Sequence, residues 1–156
     1  MLVICIILAA VALALTFRPY VPAAVIAYLS LLAGRWSGDI PVTDRELLFW
    51  AAATVLVSAI SALLPKEVSQ TSRGMGYIAG GTLAGAAAGL LLSQGGMIAA
   101  AAAGAFLGAL AYSRTPAGKP LSFPSQRFLQ YLCAKGLPAI VAIAITGIEA
   151  YYLLNI

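Results

Sequence analysis

Two ionisable residues, Glu149 and Arg18, interrupt apolar stretches of this sequence, and they bound the chemistry open to it. Glu149 is preceded by Thr146 and Gly147 and followed by Tyr151 and Tyr152. A charged side chain within a membrane-inserted helix costs roughly 2.5–3.5 kcal/mol, so such a carboxyl must be paired, protonated or close to water. That makes Glu149 a candidate ion or proton site. Counted back from Ile156, it also lies only about 10 Å from the end of the chain at ~1.5 Å per residue. An interfacial Glu beside an aromatic belt of Tyr151 and Tyr152 is the plainer reading and carries more weight, and both readings stay open at this point. Arg18 stands next to Pro19 and four positions before Pro22. If this segment dips into a membrane, the Arg18 charge lies partway in, where it can pair with Glu149 or face a wet vestibule. If the segment crosses twice, Arg18 is a surface charge.

Other chemistries are excluded by inventory. The chain has no His and two Cys, Cys5 and Cys133, each alone in apolar surroundings, so no Cys/His metal site and no metal or other cofactor are expected. A disulfide between the two is conceivable on paper, but a lone Cys in an apolar helix is a small filler residue. There is no His base, no carboxylate pair within the apolar stretches and no nucleophile elbow. Gly80 and Gly81 sit within a helical pattern instead of at a strand-to-helix turn, so no phosphate-cradling loop is formed. No catalytic residues are assigned, and an enzyme is not expected.

The elements that must hold Glu149 and Arg18 follow from composition. Of the 156 residues 62% are hydrophobic and 9% charged, against roughly 25% charged in a soluble chain. So few charges cannot clothe a water-soluble core, and the predicted class is an all-α integral membrane protein, residues 1–156 forming a single transmembrane domain. The net charge of +4 is spread over the links between apolar stretches, which fits loops at a bilayer surface and not a nucleic-acid patch.

Taken in order, residues 2–34 are apolar except around Arg18 to Pro22. As one helix they would reach roughly 50 Å, well beyond a ~30 Å hydrocarbon core. Pro19 and Pro22 each lack an amide donor and restrict the preceding residue, so they predict a backbone break and a helical hairpin, either re-entrant or crossing twice. The run resembles a secretory signal but lacks a basic start and a convincing cleavage site, so it is read as retained. Thr43 and Glu46 form a capping box ahead of an apolar span that stops at Pro65. In that span Thr54 has a ready acceptor in its own preceding turn.

Two further spans, about 75–92 and 96–112, carry small residues at every fourth position. Gly81, Gly85 and Gly89 form one ladder, with Gly76 and Gly80 one position away, and Gly96, Ala100, Gly104 and Gly108 form the other. Residues four apart share a helix face, and small residues there let backbones approach closely in lipid. The prediction is a central glycine-zipper helical hairpin closed by a tight turn at 93–95. A last span starts at Phe128 or at Leu137, with Lys135 to Pro138 as a kink within it or as its entry. The whole is a polytopic bundle of about five to six membrane segments. Arg35 and Arg45 lie on one side, and Lys66, Arg73, Arg114, Lys119, Arg127 and Lys135 on the other. The positive-inside rule therefore puts both termini outside the cytoplasm.

This order of features, Pro19 and Pro22 in the first segment, a Ser/Thr-dotted span ending in Pro65, then paired glycine repeats from Gly80 to Gly108, resembles the small bacterial membrane-protein family called domain of unknown function 456. Ala23 and Arg18 depart from the pattern. The resemblance implies a multi-pass protein of the bacterial inner membrane and brings no assigned activity. The expected role is structural, in assembly or in lipid contact, with membrane lipids, a second copy or another membrane protein as partner. The competing expectation is a small transporter or channel with a path beside the Pro-broken segment, as in transporters with interrupted helices.

Overall fold

A computed structural model describes residues 2–16, 23–63, 75–92, 94–116 and 126–154. Arg18 and the break at Pro19 and Pro22 lie outside the described residues, as do the links 64–74 and 117–125. The fold is all-helical, with no strand among the described residues. The helices are α1 (Leu2–Leu15), α2 (Ala23–Ser37), α3 (Asp44–Leu63), α4 (Met75–Leu90), α5 (Gln94–Ser113), α6 (Gln126–Tyr131) and α7 (Leu137–Leu154), with a π-helical turn (Leu132–Gly136) joining the last two. Two stretches are long and apolar enough to cross a membrane, Gly95–Ser113 and Leu137–Leu154. Helices α1 and α2 are apolar but shorter.

Apolar residues are not confined to inward faces. Val3, Ile4, Ile6 and Ile7 of α1 are exposed, as are Leu48, Phe49, Val55 and Leu56 of α3. The buried positions mix small residues such as Ala12, Ala27, Ala101, Ala105 and Ala144 with large ones such as Leu31, Ile78, Met97, Phe128 and Ile145. Large apolar side chains therefore lie on both the inner and the outer faces, unlike the one-sided stripe of an amphipathic helix on a soluble core.

Close approach is most marked in the α4–α5 hairpin. Its register steps by four on both helices: Tyr77 faces Gly108, Gly81 faces Gly104, Gly85 faces Ala100 and Gly89 faces Gly96. A Cβ added at Gly81, Gly85, Gly104 or Gly108 would overlap a carbonyl of the opposite helix, and one at Gly89 would lie 2.6 Å from the Gly96 oxygen. These contacts are backbone on backbone, so no side-chain adjustment could relieve them. Gly76 and Gly80 take no part, because a Cβ at either meets nothing within 4 Å. Expecting them in the contact is corrected by the helix period: they lie one position off the 81–85–89 row and face away.

Local signals fix the helix ends. Glu46 N–H donates to Thr43 Oγ1 at 3.3 Å and Thr43 N–H to Glu46 Oε2 at 3.1 Å, the reciprocal capping box expected from the sequence. Helix α2 stops at Gly38, whose φ of 78° is the left-handed conformation that glycine adopts without penalty. The Asp39 and Gly38 amides then return to the Gly34 and Arg35 carbonyls at 3.2 and 3.0 Å, a Schellman closure. Arg35 pairs with Asp44 and donates to the Val42 carbonyl, tying the α2–α3 link down.

The region around Lys135 is a kink within a continuous rod from Gln126 to Leu154, and not a late entry. Pro138 has no amide to give the carbonyl four residues back and its ring crowds that carbonyl. The widened turn just before it absorbs the defect. Lys135 lies inside this turn and is 2% exposed, which corrects its reading as a surface loop charge.

Candidate functional site

The carboxyl of Glu149 is the deepest acidic group among the described residues. It lies five residues before the end of α7, about 8 Å from that end at ~1.5 Å per residue, yet it is 2% exposed. An interfacial Glu reaching to the surface is thereby corrected: the α1–α2 hairpin stands between the carboxyl and solvent.

Three elements meet here. Ser30, midway along α2 and fully buried, places its hydroxyl 3.0 Å from Glu149 Oε2 and 3.0 Å from the Cys5 carbonyl of α1. The Cys5 thiol lies 3.6 Å from the Ser30 carbonyl and 3.7 Å from its hydroxyl. Close approach of α1 and α2 depends on Gly34, where a Cβ would lie 3.1 Å from Cys5 Sγ and would overlap Ile40. Glu149 Oε1 is buried and has no hydrogen-bond partner among the described residues. The cluster therefore holds one carboxyl, one hydroxyl, one thiol and two backbone carbonyls, with fewer donors than acceptors.

The carboxyl faces the N-terminal turns of α1, ten residues ahead of Leu15. Pairing of Glu149 with Arg18 falls outside the described residues. Cys5 and Cys133 are both free thiols; Cys5 is buried, but its contacts with the Ser30 carbonyl and hydroxyl correct its reading as an apolar filler. No group of three or more His, Cys, Asp or Glu that could hold a metal is found among the described residues. Thr54, Thr82 and Thr146 each donate to the carbonyl four residues back, at 2.8, 2.7 and 2.8 Å, and so offer no hydroxyl to a site. One turn round α7 from Glu149, a groove of about 190 Å³ opens among Leu13, Leu90, Met97, Ile143, Gly147 and Ala150. Its only polar side chain, Thr146, is the one already committed to Ala142, so the groove is apolar and does not include the carboxyl.

A second buried polar centre lies beyond the other end of α7. Lys135 sits near Tyr131, which stacks on Tyr112 at 5.6 Å, while Phe128 meets Phe106 edge-on at 5.9 Å. Sequence reasoning missed both Ser30 and the burial of Lys135. The signal for Ser30 was a lone hydroxyl in an apolar run; for Lys135 it was a Pro three residues downstream that forces a widened turn.

No family model, no curated protein and no solved structure matches this chain.

Proposed function

We propose that this chain is a small multi-pass membrane protein with a structural or assembly role, built on the glycine-zipper packing of α4 against α5 and presenting apolar faces to lipid. The observation that carries the reading is the backbone-on-backbone register at Gly81, Gly85, Gly104 and Gly108. In lipid, where apolar side chains gain nothing by leaving their solvent, such close packing is what holds helices together. The outward Val, Ile, Leu and Phe side chains of α1 and α3 are what a lipid environment solvates. On this reading all the apolar helices lie in the bacterial inner membrane as five to six segments, with the α1–α2 hairpin re-entrant or twice-crossing. The sparse charge of Arg35 and Arg45 against Lys66, Arg73, Arg114, Lys119 and Arg127 directs both termini outward. The resemblance to domain of unknown function 456, which no family-model match supports, would imply the same architecture and supplies no activity.

Single cysteines at Leu48, Val55, Leu83 and Leu107, in a Cys5→Ser/Cys133→Ser background in native membranes, test the reading. They should resist a membrane-impermeant maleimide while a cysteine at Gly38 reacts. Reaction at the apolar positions as fast as at Gly38 would contradict membrane placement.

A second reading, transport, is favoured by one observation: a buried carboxyl whose Oε1 lacks a partner. It requires an ion or proton flux in proteoliposomes that Glu149→Gln abolishes. The structural reading expects no flux above that of empty vesicles, together with copurification of a second copy or another membrane protein.

A further inference from the structure

Ser30 has one hydroxyl hydrogen and two acceptors at the same distance, the Cys5 carbonyl and Glu149 Oε2, both at 3.0 Å. A buried hydroxyl cannot donate to both at once. If Glu149 is a carboxylate, Ser30 gives its hydrogen to Oε2 only by leaving the Cys5 carbonyl, which keeps its bond within α1, and Oε1 is a second charged oxygen without a donor among the described residues. If Glu149 carries a proton on Oε2, the acid donates to Ser30 Oγ, Ser30 donates to the Cys5 carbonyl, and every hydrogen in the chain has an acceptor. Oε1 is then the carbonyl oxygen of a neutral acid, a far smaller burden than half of a buried charge.

We propose that Glu149, Ser30 and the Cys5 carbonyl form a proton-binding site that latches α7 to the α1–α2 hairpin when the carboxyl is protonated and releases it when the proton is lost. In the release step the Oε2–H bond breaks, its electron pair stays on Oε2, and the proton passes to water or a buffer base. The carboxylate then needs more donors than Ser30 supplies, and water entering between α7 and the hairpin provides them. Among the described residues no cation faces the carboxyl. From α1 there is the Cys5 thiol, and from α2 the Ser30 hydroxyl. Arg35, the nearest cation along α2, is held by Asp44 and the Val42 carbonyl. Asp39 is held by Ser37, and Arg45 and Glu46 lie at the outer start of α3. Helices α4 and α5 carry no ionisable side chain except Tyr77 and Tyr112, at the end remote from Glu149. Lys135 is 14 residues back along the rod, roughly 20 Å away at ~1.5 Å per residue. The latch does not depend on the structural reading above: it concerns how the hairpin is fastened, whatever the protein scaffolds or moves.

The test uses the full chain, with Cys133→Ser so that Cys5 is the one thiol, in phosphatidylcholine vesicles. Infrared spectra recorded from acid to alkaline pH should contain a protonated-carboxyl carbonyl stretch that outlasts ionisation of the other Asp and Glu side chains, is lost only on the alkaline side, and is missing from Glu149→Gln. Cys5 labelling by N-ethylmaleimide should be equal in the two proteins on the acid side and severalfold faster in the wild type once the band has gone. If Glu149→Gln is misassembled, so that its Cys5 reacts at every pH, Ser30→Ala decides: its band must shift to the frequency of a less strongly hydrogen-bonded acid. A band that is absent from the wild type, that survives in Glu149→Gln or that does not move in Ser30→Ala overturns the proposal. So do labelling rates that rise together in both proteins.

Discussion

Glu149 and Ser30, 119 positions apart in the chain, meet at 3.0 Å in the interior of the helical bundle. This contact is the polar fastening between α7 and α2 in an otherwise apolar interface that also buries Ala27, Leu31, Ile145 and Ile148. Ser30→Ala removes the one side-chain partner the carboxyl has among the described residues and should destabilise the protein by about 1–3 kcal/mol, the usual consequence of a buried polar group losing its partner. Replacing both groups, Ser30→Ala with Glu149→Leu, should recover part of that loss, because no polar atom is then stranded. Unfolding in mixed detergent–SDS micelles measures both, and a double variant weaker than the sum of the single variants would refute the pairing.

The start of α3 gives a cleaner local test. Thr43 closes a capping box at an exposed site, so Thr43→Ala should lower stability by about 1 kcal/mol with no change elsewhere. Thr43→Ser should be close to neutral. Equal losses in the two variants, read by the same unfolding assay, would show that the hydroxyl is not the stabilising group.

The end of α2 behaves differently, since the backbone and not a side chain sets the requirement. A Cβ at Gly38 meets nothing within 4 Å, but its φ is +78°. Gly38→Ala should therefore cost about 1 kcal/mol through conformation alone, and Gly38→Asn less, because Asn tolerates the left-handed region. Alanine and asparagine variants of equal stability would contradict the Schellman closure.

Several of these features were legible in the sequence because they are local. The capping box, the helical class, the span limits near 75 and 113 and the row of glycines every fourth residue all follow from spacing within one helix. Gly76 and Gly80 show the limit of that reading: composition marks them as small, but only the actual rotation of α4 decides that 81, 85 and 89 face α5. Ser30 shows another. A hydroxyl in AYLSLLAG has a ready local acceptor in its own helix, and nothing along α2 says that Cys5 and Glu149 will be brought against it. Lys135 was misread because charge tallies treat every Lys between apolar stretches as wet, whereas the helix continues past Pro138 through a widened turn that holds Lys135 inside.

The most direct measurement compares Gly85→Leu with Gly80→Leu, two glycines of the same helix. At Gly85 a side chain would run into the Ala100 carbonyl and the Ala101 backbone, while at Gly80 there is open space. In bilayer or mixed-micelle unfolding, Gly85→Leu should lose at least about 1–3 kcal/mol, the range for overpacking, with the helices forced apart. Gly80→Leu should stay within about 0.5 kcal/mol of the wild type. Equal stability of the two variants, or greater damage from Gly80→Leu, would contradict the central claim that α4 and α5 are held by glycine-on-backbone packing in this register.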